Sequence, residues 1–280
     1  MPQSAQPGKV LRGGEFYSPI QARLSANDVV LSELHQPVAR SVPRHEHELA
    51  YVTIVLQGHY REGDRGKLDE LPPLTAVFNP VGVAHSTVIG PAGASMFTIE
   101  FRTEGLRELG LQLSDRTTFD GGVGTMLWPG LRLFSSFKNR STDSLMLEAH
   151  VLELLGAIIR LDPSPEKTPP RWLKRVKDRL HAEFCERLRM RDLARDAGVH
   201  PVHLARAFRK FEKRTPGEYQ QHLQIRAACE LLGKPEWPLA EIAAECGFAD
   251  QSHFTRTFRR MAATTPLRFR QAVVPKTIAA

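Results

Sequence analysis

Met190–Tyr219 reads MRDLARDAGVHPVHLARAFRKFEKRTPGEY, and Leu239–Phe269 reads LAEIAAECGFADQSHFTRTFRRMAATTPLRF. The two stretches share one pattern. A short apolar-periodic segment (Leu193 and Ala194; Ile242 and Ala243) ends at a glycine, Gly198 or Gly247, and an apolar residue follows, Val199 or Phe248. A second segment then carries Arg206-x-Phe208-Arg209 or Arg256-x-Phe258-Arg259. Each stretch closes on Thr-Pro and an aromatic: Thr215-Pro216 with Tyr219, and Thr265-Pro266 with Phe269. The matching arginines lie 50 residues apart, a period of structural-unit size.

Helix, tight glycine turn and second helix make a helix-turn-helix unit, whose second helix enters the major groove of double-stranded DNA. Two units in one chain can read successive groove faces roughly 34 Å apart. Between them, Tyr219, Leu223, Ala227 and Leu231 form an i, i+4 stripe that predicts a spacer helix of about five turns, ~25 Å long. Leu204, Phe208, Phe254 and Phe258 fall on the buried sides of the second helices. The other sides carry Val202, Ala205, Arg206 and Arg209 in the first unit, and Gln251, Ser252, Thr255, Arg256 and Arg259 in the second. Arginine pairs bidentately with guanine and glutamine with adenine, so Arg206, Gln251 and Arg256 lead the base-reading candidates. Arg209, Lys210, Arg259 and Arg260 are the phosphate candidates, which position without reading sequence.

These residues resemble the C-terminal domain of the AraC/XylS family of bacterial transcription regulators. The resemblance spans about residues 170–270 and is tightest over PLAEIAAECGFADQSHFTRTFRR. It implies base contacts at Val202, Arg206, Gln251 and Arg256, and a role in transcription rather than catalysis. Two positions depart from the family pattern. The glycine that usually follows each second helix is Lys213 or Ala263, and the aromatic before the second such glycine is Ala262.

Charge is segregated in the same way. Residues 171–280 hold 22 Lys and Arg against 12 Asp and Glu, whereas residues 1–170 hold 16 against 19. The whole chain's formal charge of +7 therefore comes from the segment with the groove-reading pattern, as a polyanion partner requires. The N-terminus has no apolar core of a signal peptide, and no apolar run reaches the ~20 residues that span a bilayer. Cys185, Cys229 and Cys246 make no CxxC and read as packing thiols within helices. The expectation is a cytoplasmic protein with no membrane partner. Four prolines in LDPSPEKTPPRW predict an exposed linker at 162–172, ahead of a DNA-binding domain at 173–280.

Upstream, DVVLSEL, AYVTIVLQG, LTAVFNP, HSTVIG and SMFTIEF are short β-branched and aromatic runs separated by turn residues such as REGDRG. They predict an all-β barrel or sandwich within residues 1–103. His45-Glu46-His47, a strand expected to end at Gly58, and Pro80–His85 resemble the two motifs of the cupin barrel, a sensory domain in many AraC-type regulators. In a strand, His45 and His47 share a face, and a turn bringing His85 alongside would gather three imidazoles. Three histidines suit a divalent metal, a hydrogen-bonded organic effector, or simply one another. Cupin enzymes place a glutamate four or five residues after the second histidine, where this chain has Tyr51 and Val52. Tyr51, His59 and Glu100 are polar neighbours, each expected at the surface or the core edge unless it lines a pocket.

Residues 104–161 read as helical. STDSLMLEAHVLELLGAIIRL opens on a Ser or Thr cap with Asp143 in its first turn and is apolar over a wide arc. That arc, and the family resemblance, point to a homodimer contact along 142–161, with Leu152 and Leu155 in it. The fold expected is α+β: a cupin-like barrel with trailing helices, then an all-α domain with two helix-turn-helix units. The function expected is sequence-specific, ligand-controlled DNA binding that works on the transcription machinery. A metal-dependent cupin enzyme fused to a DNA-binding domain and a ligand-independent regulator are the alternatives.

Overall fold

A computed structural model describes residues 9–26, 28–64, 67–120, 125–139, 144–161 and 169–274. The chain divides into two compact units, 1–162 and 163–280.

The first unit is one curled nine-stranded sheet followed by helices. Its strands are β1 (Lys9–Leu11), β2 (Ile20–Ala26), β3 (Val29–Gln36), β4 (Arg40–His47), β5 (Ala50–Asp64), β6 (Lys67–Leu71), β7 (Ala76–Asn79), β8 (His85–Phe101) and β9 (Thr118–Phe119). β8 is the spine. It pairs with β5 along one edge, and with β4 and then β3 along the other. A strand of this length must bend to curl a sheet, and the bend falls at glycines. Gly58 and Gly93 face each other at φ of +89° and +73°, and a Cβ on Gly58 would lie 2.1 Å from the Gly93 carbonyl oxygen. Register shifts in β5 flank this point, between Val55 and Gln57 and between Gly58 and Tyr60. Bulges of this kind re-aim the strand without ending it.

That corrects two expectations. Gly58 does not terminate its strand, and HSTVIG and SMFTIEF are one strand rather than two. One face of the sheet buries Leu31, Val52, Ile54, Phe97 and Ile99. A further core of Leu34, Val55, Tyr60, Leu71, Val77, Ile89 and Met96 fills the curl.

Three helices follow: α1 (Thr103–Glu108), α2 (Leu127–Lys138) and α3 (Ser144–Leu161). The segment is not wholly helical, because β9 adds to the sheet through β7. Asp120, just after β9, caps α2: its carboxylate accepts from the backbone N–H groups of Met126 and Leu127 at 2.6 and 3.1 Å. α2 is buried along most of its length, and its Phe134 and Phe137 meet Phe97. The expected Ser or Thr cap and Asp143 lie outside the described residues. On α3, Leu147, Leu154, Leu155, Ala157 and Ile158 are buried, while Leu145, Met146, Leu152 and Ile159 are exposed. Leu155 is therefore a core residue and not part of a free face, which corrects the pairing of Leu152 with Leu155.

The second unit is all helix: α4 (Arg171–Ala182), α5 (Met190–Ala197), α6 (Pro201–Glu212), α7 (Pro216–Leu232), α8 (Leu239–Glu245), α9 (Gln251–Ala262) and α10 (Pro266–Val273). Arg171 and Trp172, assigned to the linker from sequence, open α4, because Pro170 sits where its missing N–H costs nothing. Residues 162–168 of that linker lie outside the described residues. α7 has a full capping box: the Thr215 hydroxyl accepts from the Glu218 N–H, and the Glu218 carboxylate accepts from the Thr215 N–H at 2.7 Å.

α7 is more than a strut. Besides Tyr219 and Leu223 it buries Ile225, Ala228, Cys229 and Leu232, whereas Ala227 and Leu231 are only half-buried. The i, i+4 stripe is thus too narrow, since α7 packs against α4 as well as against α8, α9 and α10. The cysteines also differ from expectation. Cys229 is buried within α7 and Cys246 is buried at the end of α8, but Cys185 is exposed in the turn after α4. Among the described residues no helix is long and apolar enough to cross a membrane.

Candidate functional site

In the helical unit, α5 and α6, then α8 and α9, form the two turns foreseen from sequence. Gly198 at φ +70° and Gly247 at +77° make the left-handed corners. At Gly247 nothing larger fits, for a Cβ would lie 2.0 Å from the Cys185 carbonyl oxygen. Each second helix is capped at its start, α6 by His200 and α9 by Asp250, whose carboxylate accepts from the His253 N–H at 2.6 Å. Each is held from beneath by fully buried aromatics, Phe208 in α6 and Phe254 with Phe258 in α9, with Leu204 beside Phe208.

The opposite faces are open. Val202, Arg206, Arg209 and Lys210 on α6 are exposed, as are Gln251, Ser252, Arg256, Arg259 and Arg260 on α9. Thr255 is half-buried rather than exposed, as is Ala205, its equivalent on α6, because both lie at the edge of the packed face. Among the described residues, Arg206, Arg209, Arg256 and Arg259 show no hydrogen bond or ion pair through their guanidinium groups. Others in this unit are engaged: Arg179 with Glu183 and Asp196, and Arg270 with the Trp237 carbonyl. Arg260 departs from the phosphate set in being engaged, donating to Gln221 Oε1 at 2.8 Å. The glycine departures have a structural counterpart. Lys213 and Ala263 cap α6 and α9 in the left-handed region, at φ of +57° and +52°. Ala262, in place of the aromatic, is fully buried.

In the sheet unit, strand register gathers the three histidines. His45 and His47 share a face of β4, and His85 is the direct cross-strand partner of His45. All three are buried, and each offers a ring nitrogen within 4.8 Å of the others. His45 and His85 rings lie 4.3 Å apart, and His47 and His85 are stacked at 5.6 Å. The Nδ1 of His45 lies 2.9 Å from the Pro43 carbonyl, and the Nδ1 of His85 lies 3.4 Å from the Val83 carbonyl. As donors there, both rings leave Nε2 as the acceptor, and that of His85 faces the Tyr51 hydroxyl at 3.0 Å.

Burial, with His85 alongside, pulls the His45 pKa down to about 4. The same causes, joined by His45, pull His47 down to about 3. Both are neutral imidazoles near neutral pH. His47 Nδ1 is buried without a hydrogen-bond partner.

Tyr51 is neither surface nor core edge. It is buried on this cluster, its hydroxyl 3.0 Å from His85 Nε2. Burial, with Glu62 nearby, raises its pKa well above the usual phenol value. His59 is elsewhere, exposed and 3.1 Å from Glu70. Glu100 is buried but holds the Gly14 N–H at 2.8 Å, and burial raises its pKa.

Sequence reading missed the shell behind Tyr51. Asn79 Nδ2 donates to the Tyr51 hydroxyl at 3.2 Å and to Glu62 at 2.7 Å, and the Tyr60 hydroxyl donates to Glu62 at 2.6 Å. Thr117 donates to Asn79 Oδ1 at 3.0 Å, tying the site to the segment that enters β9. Phe16 and Tyr17 close over His47 and His45. No local motif marks these residues; only the pairing of Tyr51 with Asn79 across β5 and β7 would have found one of them. The cavity beside the histidines holds about 40 Å³. A larger cavity of about 340 Å³ lies where α1 and α3 meet the sheet, walled by Val29, Phe101, Leu106, Leu147 and Leu152 with Arg102.

Two helix-turn-helix units joined by a shared helix place the second unit in the class of tandem helix-turn-helix proteins. Residues 193–272 match the family model described as a helix-turn-helix domain. The chain is 33% identical over 86 residues to PqrA of Proteus vulgaris, a probable transcription factor, a match covering 31% of this chain and 70% of that protein. It is 31% identical over 113 residues to AdaA of Bacillus subtilis, a bifunctional transcriptional activator and DNA repair enzyme, covering 40% and 54%. The chain belongs to the AraC/XylS family of transcription regulators. It spans about half the length of the curated relatives it matches, 52% and 54% in two of them. Among solved structures, ToxT from Vibrio cholerae matches 88% of this chain and 99% of its own at 9% identity and a TM-score of 0.38.

Proposed function

We propose that this chain is a sequence-specific transcription regulator that binds double-stranded DNA through α6 and α9, with a cupin-like sensory unit under small-ligand control. The observation that carries the reading is the pair Arg206 and Arg256. They occupy equivalent positions on the two second helices, are exposed, and have no partner among the described residues. Base-edge contacts come from these two with Val202, Gln251, Ser252 and Thr255; phosphate contacts come from Arg209, Lys210, Arg259 and Arg260. Arg260 must leave Gln221 to take part. Genome-wide mapping of bound sites tests this. The intact chain should occupy discrete sites, and a folded Arg206→Ala/Arg256→Ala variant should lose them. An unchanged map overturns the reading.

Ligand control requires different affinity for two arrangements of the protein. His45, His47, Tyr51 and His85 form the site proposed for the small ligand. A drug-sized organic effector usually fills ~300–1,000 Å³. The histidine cavity, at about 40 Å³, is too small for one, whereas the 340 Å³ cavity against α3 is of that size and is the second reading for an organic ligand.

The remaining partners under this proposal are the transcription machinery and a second copy of the chain. The exposed side of α3 carries Leu145, Ala149, Leu152, Gly156 and Ile159, spaced four and three residues alternately, as a coiled-coil seam requires. Leu152→Glu should leave the fold intact and convert a sedimenting dimer to monomer. A folded wild-type chain that sediments as a monomer at tens of micromolar removes the dimer from the proposal.

A further inference from the structure

We infer that the cavity between α1, α3 and the sheet binds a lipophilic organic cation, an amine or quaternary ammonium carried on an apolar body. The inference rests on reading this cavity as the site of an organic ligand and names the chemical class it takes.

Size and lining define the body of the ligand. The cavity holds about 340 Å³, at the lower end of the ~300–1,000 Å³ of drug-sized sites. Val29 and Phe101 from the strands, Leu106 from α1, and Leu147 and Leu155 from α3 wall it. These side chains gain by covering apolar surface and offer no hydrogen bond.

Charge defines the head group. Asp28, Glu108 and Glu148 also line the cavity, against a single Arg102. All four are exposed, and none makes a hydrogen bond or ion pair through its side chain among the described residues. The carboxylates are therefore not neutralised within the protein, and they outnumber the guanidinium three to one. An anion would meet the opposite balance.

Asp28 is placed there by its surroundings. It lies in the turn from β2 to β3, and its carbonyl accepts from the Arg102 N–H at 2.7 Å, which ties that turn to the start of α1. A Cβ on Gly105 would lie 2.2 Å from Asp28 Cγ and 2.7 Å from Oδ2. Glycine is a poor helix residue, but at this point of α1 its bare Cα makes room for a carboxylate on the cavity wall. Leu152 lines the same cavity and belongs to the proposed seam of α3, so an occupant touches the helix that a second copy would use.

The test uses three probes with one apolar body and different head groups: phenylbutylamine, which is charged at neutral pH, phenylbutanol and phenylbutyrate. Each is titrated calorimetrically into the folded full chain. The ammonium should bind once per chain and roughly three- to tenfold tighter than the alcohol, since exposed charge pairs each contribute modestly, and the carboxylate should bind most weakly. Asp28→Asn/Glu148→Gln should bring the ammonium down to the affinity of the alcohol and leave the alcohol unchanged, a split that loss of fold does not produce. Glu70→Gln removes a carboxylate from β6, outside the cavity, and should bind as wild type does. Val151→Trp fills the cavity and should abolish binding of all three; where circular dichroism shows it unfolded, Leu106→Trp takes its place.

No binding of the ammonium at millimolar concentration overturns the inference, as does a carboxylate that binds equally tightly. A preference for the ammonium that survives in the folded Asp28→Asn/Glu148→Gln variant overturns it as well. Operator affinity is measured separately with and without phenylbutylamine. Binding in the cavity with no change in operator affinity keeps the cation site and overturns ligand control through it, so the two failures are distinguishable.

Discussion

The reading helices and the histidine cavity make opposite use of polar side chains. On α6 and α9, Arg206, Arg209, Arg256 and Arg259 stand exposed, with no hydrogen bond or ion pair among the described residues, on a scaffold of Phe208, Phe254 and Phe258 that needs nothing from them. In the sheet, His45, His47, His85 and Tyr51 are buried and contact one another. Polar groups on the first surface can change partner at little cost to the fold. Polar groups in the second are part of the packing, so any change of charge or occupant there is also a change of stability.

The largest effect that follows is with pH. His45 and His47 have folded pKa values of about 4 and about 3, below the 6.5 of the unfolded chain. The unfolded state therefore binds protons that the folded state refuses. Stability is fully present above pH 6.5 and falls as pH drops from there toward 4. The His45 shift alone corresponds to about 3 kcal/mol. Amide exchange in β5 and β8 should accelerate over this window, while exchange in α7 should change less. Equal acceleration in both units would break the contrast.

The same contrast explains what could be read from sequence. The helical unit was legible almost residue by residue, because a helix face is a local pattern. Arg206 and Arg256, Gly198 and Gly247, and the two Thr-Pro caps all lie within a few turns of what they serve. Local pattern failed there most clearly for α7, whose burial is set by several other helices. The cavity was legible only in outline. The His-x-His pair is local to β4, but His85 joins it through the pairing of β4 with β8. Glu62, Asn79 and Thr117 come from three further places whose register no short motif encodes. Gly58 was misread for a related reason: a glycine that bends a strand and one that ends it look alike until the partner strand is known.

The second prediction, intermediate in size, sharpens the other side of the comparison. Arg206→Ala and Arg256→Ala should each cost about 1–3 kcal/mol of specific binding and leave non-specific binding nearly intact. Arg209→Ala should weaken all sequences alike and reduce the salt slope by about 1. None of the three should move the melting temperature appreciably, since none makes a hydrogen bond or ion pair among the described residues. Titrations of operator and random DNA at several salt concentrations, beside thermal melts, separate these outcomes. Equal loss on operator and random DNA in the Arg256 variant would return that residue to the phosphate set.

The smallest effect concerns two positions of the helical unit that carry backbone strain. Lys213 and Ala263 hold φ of +57° and +52° after α6 and α9, where a Cβ crowds the backbone. Glycine relieves that crowding by roughly 1 kcal/mol, offset in part by the greater freedom it gives the unfolded chain. Ala263→Gly is the cleaner variant, because Lys213→Gly also removes a positive charge beside the proposed DNA face. The expected gain is about 0.5–1 kcal/mol, a few degrees in the melting temperature of a unit this size, with operator affinity unchanged. Ala263 lies beyond the reading face of α9, and its corner only sets where the chain turns into α10. A gain in stability with a loss of affinity would mean that the strained corner helps to orient α9, and the separation of scaffold from reading surface would then fail at that position.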